Sequence, residues 1–155
     1  MDCNDCLALK EIVEQALKML YQKDYYLIRN RPRGSRNDCH VSERGIVFRF
    51  GIYLQQLLNE TSFKEFSVDV EYNRNAYEKK MLPSFKYGTF PDLILHKRGS
   101  NEANILVLEF KTWWNSHTKE DVKKVEQFMD PKGKYRYSMG ASIVLEKEGF
   151  NINWL

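Results

Sequence analysis

No stretch of the 155-residue sequence is a run of the ~18 apolar residues that a membrane-spanning helix requires, so no membrane partner is expected. The first residues, MDCNDCLALKEIVEQ, lack the basic start and unbroken apolar stretch of a signal peptide, which points to the cytoplasm. Cysteine is scarce and odd in number. Cys3, Cys6 and Cys39 do not make a disulfide framework and suit a reducing compartment. Strong charge of one sign is also missing: a net charge of +3 does not force a nucleic-acid partner, so any such surface must come from clustering. Repeats and low-complexity segments are absent. The length fits a single domain over residues 1–155, with one core. One metal pattern needs weighing, because Cys3-x-x-Cys6 with Cys39-His40 would supply the four ligands of a structural zinc. Cys39 and His40 are adjacent rather than at ligand spacing, so reduced thiols are the expected reading.

What is present is concentrated in two short motifs. Pro91-Asp92 opens one apolar strand, and Glu109-Phe110-Lys111 closes the next. Between them lie LILH, the turn-like KRGSNEAN and ILVL, two strands around a Gly/Ser/Asn loop. A symmetric hairpin centred on Ser100 and Asn101 puts Asp92 opposite Glu109. The side-chain period of two then sets Glu109 and Lys111 on one face of their strand and Phe110 on the other. Two carboxylates roughly 5 Å apart repel by about 3 kcal/mol at an effective dielectric near 20. Such a site wants a cation or a shared proton. Mg²⁺, with Mn²⁺ as a substitute, accepts a few hard oxygen ligands and keeps room for water and phosphate. A lysine beside it can act on an attacking water or neutralise a phosphate.

These residues resemble the PD-(D/E)xK, or restriction-endonuclease-like, nuclease superfamily. A small uncharacterised bacterial group within it is resembled further through Ser42-Glu43-Arg44, Glu71-Tyr72-Asn73-Arg74 and residues 135–140. The resemblance implies an α/β fold with a central mixed sheet flanked by helices. It also implies that Asp92 and Glu109 bind one or two Mg²⁺ ions while Lys111 assists the water.

The rest of the chain is read around that centre. A packing helix is expected over residues 5–22, from Leu9, Ile12, Val13, Ala16, Leu17 and Leu20. Arg29, Arg31, Arg33 and Arg36 follow in a loop broken by Pro32 and Gly34, fit either for phosphate contacts or for local ion pairs. A second helix over 41–59 carries Ile46, Val47, Phe50, Leu54, Leu57 and Leu58, and Glu43 falls on the same inward stripe. A first-turn acid also suits the helix dipole, but relatives in the superfamily carry a glutamate here that reaches the metal. In the alternating strand from Phe66 to Tyr72, Asp69 and Glu71 read as solvated.

Residues 73–90 form a long connection in which Arg74, Lys79, Lys80 and Lys86 interleave with Tyr77, Phe85, Tyr87 and Phe90, as in a nucleic-acid contact or a plain loop. Strand 104–111 is apolar on both faces and therefore central. A third helix over 118–130 shows Val122, Val125, Phe128 and Met129 inward, with Lys123 and Gln127 beside them. The superfamily places a lysine or glutamine of this helix near the active site. A last strand, 139–146, with a short edge over 151–155, completes the order α-α-β-β-β-α-β. The expected function is Mg²⁺-dependent phosphodiester hydrolysis of DNA by Asp92, Glu109, Lys111 and Glu43, with Arg74, Lys123 and Gln127 contacting nucleic acid. A homodimer would allow both strands to be cut. The alternative is a nucleic-acid-binding or protein-interaction domain that keeps the fold without turnover.

Overall fold

Asp2 caps the first helix through a reciprocal box: its carboxylate accepts from Asp5 N at 2.8 Å, and Asp5 answers to Asp2 N at 3.4 Å. Helix α1, Cys3–Lys23, buries Leu9, Val13, Ala16, Leu17 and Leu20, and a 3₁₀ turn, Tyr25–Leu27, follows it. The computed structural model describes residues 2–29, 40–75, 78–85, 88–115 and 119–155. Arg31, Arg33, Arg36, Cys39, Tyr77, Lys86 and Tyr87 lie outside the described residues. Ser42 caps helix α2, Glu43–Leu58, by accepting from Gly45 N at 3.2 Å. Strand β1, Ser67–Val70, is followed by two short strands, β2, Arg74–Asn75, and β3, Glu78–Lys79. The 73–90 connection therefore contains a small antiparallel pair. Then come β4, Leu93–His96, β5, Asn104–Thr112, α3, Lys119–Met129, β6, Met139–Glu146, and β7, Gly149–Trp154.

The main sheet runs β1-β4-β5-β6-β7, and β5 is its central strand. β5 and β6 pair in parallel across the α3 crossover, while the other neighbours are antiparallel. The chain is thus an α/β protein, with a five-stranded mixed sheet and three α-helices among the described residues. Alternation along β4 and β5 sorts the core into two layers. Leu93, Leu95, Leu106, Leu108 and Phe110 pack with α1 and α2, and the Phe50 and Phe110 rings lie 5.0 Å apart. Ile94 and Val107 turn to the opposite face and pack with Val125 and Phe128 of α3. Gly140 of β6 lets α3 approach, since a Cβ there would collide with Val125 and Met129.

Candidate active site

The hairpin register decides which side chains meet. Leu93 pairs with Leu108, Ile94 with Val107 and Leu95 with Leu106, as a loop centred on Ser100 and Asn101 requires, before a bulge shifts His96 onto Asn104. The next step beyond Leu93 and Leu108 is Asp92 and Glu109. By alternation from Ile94 and Val107, Asp92, Glu109 and Lys111 belong to the face that carries α3. Asp92 is held at the strand end, where its Oδ2 accepts from Phe110 N at 2.7 Å and its carbonyl accepts from Glu71 N at 3.1 Å.

Helix α2 contributes Glu43 from its first turn. Glu43 Oε1 accepts from Lys111 Nζ at 3.4 Å, so the inward stripe brings this glutamate to the hairpin. Lys111 Nζ also donates to Phe110 O at 3.1 Å and lies 3.3 Å from Asp121 Oδ2 on α3. Glu109, 1% exposed, accepts from Lys124 Nζ at 2.8 Å, and the same amine donates to Phe90 O. The sequence pattern alone does not single out Asp121 and Lys124. Their spacing of three puts them on one side of α3 with Val125 and Phe128, so the inward stripe is Asp121, Val125 and Phe128, with Lys124 beside it, and Val122 only half-buried.

The expectations for Lys123 and Gln127 meet a different arrangement. Lys123 is exposed, and Lys124 is the lysine of this helix at the carboxylates. Gln127 Oε1 accepts from Ser84 N at 3.2 Å and its Nε2 donates to Ser84 Oγ at 2.8 Å, fastening the 73–90 connection to α3. Arg74 is exposed on β2. Asp69 is not solvated: His96 and Arg98 hold it, and only 15% of its side chain is exposed. Glu71 pairs with Arg44 at 2.5 Å. Cys3 is exposed and Cys6 half-buried, both free, while His40 stacks on Trp114 at 4.3 Å.

Four carboxylates, Glu43, Asp92, Glu109 and Asp121, therefore gather with two amines, Lys111 and Lys124. Burial pushes Glu109 well above the usual carboxylate range, Asp92 adds to the rise by like charge, and Lys124 opposes it. Glu43 and Asp121 are raised for the same reasons, burial first, with Lys111 opposing both. Burial pulls the Lys111 amine down, yet Glu43, Asp121 and Asp92 together hold it above its ordinary value, so it is an ammonium at neutral pH.

No family model, no curated protein and no solved structure matches the chain. Two of the site's buried oxygens, Glu43 Oε2 and Glu109 Oε1, have no hydrogen-bond partner, and Asp121 Oδ2 meets only the Lys111 ammonium at 3.3 Å. Buried carboxylate oxygens without donors are costly, and four acids here outnumber the two amines that face them. A divalent hard cation suits such oxygen donors and favours their ionised form. Among the described residues no three His, Cys, Asp or Glu side chains already form a metal-holding group. The two lysines stand between the acids instead. A cleft of about 310 Å³ beside the site, lined in part by Glu43, Arg44, Val70, Glu71 and Asp92, gives access to it.

Proposed function

We propose that the protein is a metal-dependent phosphodiesterase acting on nucleic acid, DNA in the first instance, with the restriction-endonuclease-like arrangement of site residues. The observation that carries this reading is the gathering of Asp92, Glu109, Lys111 and Glu43 at one end of the β4–β5 hairpin around unpartnered carboxylate oxygens. A structural ion pair has no need of four acids at one strand end. Asp92 and Glu109 would hold Mg²⁺ or Mn²⁺, with Glu43 completing the acidic shell. When bound, the ion supplies charge neutralisation at a phosphate and acidifies a water.

The chain's own groups account for the remaining steps. Phe110 N–H fixes the Asp92 carboxylate at 2.7 Å, so this ligand is oriented before substrate arrives. Lys111 is protonated in its present surroundings. Its amine therefore orients the attacking water or offsets charge on the phosphate rather than acting as the resting base. Hydrolysis adds water across one P–O bond, and the departing oxygen needs a proton that Lys111 or a protonated acid of the cluster can give.

A second reading has its own observation in favour. Lys111 between Glu43 and Asp121, and Lys124 on Glu109, already neutralise part of the cluster, as a binding domain without turnover would need. A panel of labelled double-stranded, single-stranded and branched DNA and RNA, incubated with Mg²⁺ or Mn²⁺, separates the two. The nuclease reading expects cleavage by the parent and none by Asp92→Ala. Binding without cleavage of any substrate selects the second reading.

A further inference from the structure

At the opposite end of the same hairpin lies a buried lysine with no ion-pair partner among the described residues. Lys80 is 2% exposed, and its Nζ donates to Tyr137 Oη at 2.9 Å. The rings of Tyr72, Phe128, Tyr135 and Tyr137 surround the amine, with centroids 5.3, 5.9, 5.5 and 5.4 Å away. An ammonium offers three donors, and one is used by Tyr137. Aromatic faces attract a cation but do not balance its charge. Asp69, whose charge acts on Lys80 from β1, is itself committed to His96 and Arg98. Among the described residues Lys80 forms no ion pair. Burial drives its amine down to about 8, against the opposing pull of Asp69, which shows how incompletely the protein compensates the charge.

Lys80 is also a wall of a cavity. Together with Tyr72, Arg74, His96 and the turn at Gly99 and Ser100 it lines a space of about 190 Å³. Arg74 enters from β2, is exposed, and makes no ion pair among the described residues. Lys80 and Arg74 thus both line this space, and among the described residues neither forms an ion pair, Asp69 acting on Lys80 only from beyond contact.

We propose that this cavity binds a small oxyanion of the phosphate class, a free phosphate or a phosphate monoester, between Lys80 and Arg74. Two cations match a dianion better than a carboxylate, and a phosphate monoester, whose second pKa is ≈ 6, is mostly dianionic at neutral pH. The planar guanidinium of Arg74 can take two phosphate oxygens in parallel while the Lys80 ammonium meets a third as a point charge. The proposal stands apart from the carboxylate cluster and does not depend on it.

The test follows the ε-CH₂ and amine resonances of Lys80 by NMR while inorganic phosphate is added at constant ionic strength, with chloride as the reference salt. The expected result is a saturable shift with a dissociation constant on the order of 1 mM or below. The Lys80 titration should also move upward from about 8, because a neighbouring anion favours the charged form. Asp69, His96, Tyr72, Tyr135 and Tyr137 surround the same amine, so the assignment is made on the Lys80 resonance itself. Arg74→Ala, an exposed change that leaves the core untouched, should weaken binding about 10-fold. A 5′-phosphorylated oligonucleotide binding more tightly than inorganic phosphate would name a nucleic-acid end as the ligand, and weaker binding would name the small anion. Lys80 resonances that ignore phosphate, that respond equally to chloride, or that respond identically in Arg74→Ala would overturn the proposal and leave the aromatic enclosure as a purely structural device.

Discussion

Lys111 shows how much one side chain can be asked to do. It sits at the emergent end of a central strand, bonded to Glu43 and close to Asp121, and its removal opens little of the apolar core. Lys111→Ala should therefore lower cleavage by roughly 10²–10⁴-fold, the range for a group acting on the transferred proton or water, with cooperative unfolding retained at a lower melting temperature, because Glu43 and Asp121 lose their counter-charge. A second residue-scale expectation concerns Asp69. Burial acts to raise its pKa, but Arg98 and His96 outweigh burial and hold the carboxyl well below its ordinary range. A carboxyl depressed on folding adds stability above its unfolded pKa, ≈ 3.9, and loses it as pH falls through that value toward the folded one. Asp69→Asn should cost about 1.5–3 kcal/mol at neutral pH, the worth of hydrogen bonds to a charged group. The difference from the parent should shrink below about pH 4 in denaturant titrations.

Among the elements, the hairpin was legible and α3 only in part. Alternation along 104–111, with a turn centred on Ser100 and Asn101, was sufficient to give the pairing of Leu93 with Leu108 and to put Glu109 and Lys111 on one face. Glu43 was legible for the same kind of reason, since it shares a stripe with Val47 and Phe50. The rotation of α3 was not. Val122 and Met129 drew the inward stripe toward themselves, whereas Asp121 and Lys124 turn in because Glu109 and Lys111 offer them charge partners from β5. Lys80 was equally hidden. Nothing local marks a lysine in a polar connection as buried, and its aromatic enclosure comes largely from residues over 45 positions away. Close packing of α3 on β6 carries its own prediction. Gly140→Ala forces a methyl against Val125 and Met129 and should destabilise by about 1–3 kcal/mol, seen as a lower denaturant midpoint at unchanged slope.

On the scale of the whole molecule, the sheet holds two unlike ends of one hairpin apart. One end gathers Glu43, Asp92, Glu109 and Asp121 with the amines of Lys111 and Lys124, and the other gathers Lys80, Arg74 and the Asp69–Arg98 pair, in a chain whose net charge is only +3. A composition near neutrality thus conceals local clusters of charge, which bear on binding more than the total does. If the acidic end takes a divalent ion in the folded state alone, Mg²⁺ at a hundred times its dissociation constant should stabilise the protein by about 2.7 kcal/mol. Glu109→Gln should lose most of that gain in thermal melts.

In the proposed mechanism the buried acids hold the ion on which cleavage depends. The most direct test is the initial cleavage rate of the best substrate against Mg²⁺ concentration, for the parent and for Glu109→Gln. The prediction is a saturable dependence in the parent, with the variant needing upward of 10-fold more Mg²⁺, as loss of one metal contact implies. A rate indifferent to Mg²⁺, or the same half-saturation in both proteins, would contradict it.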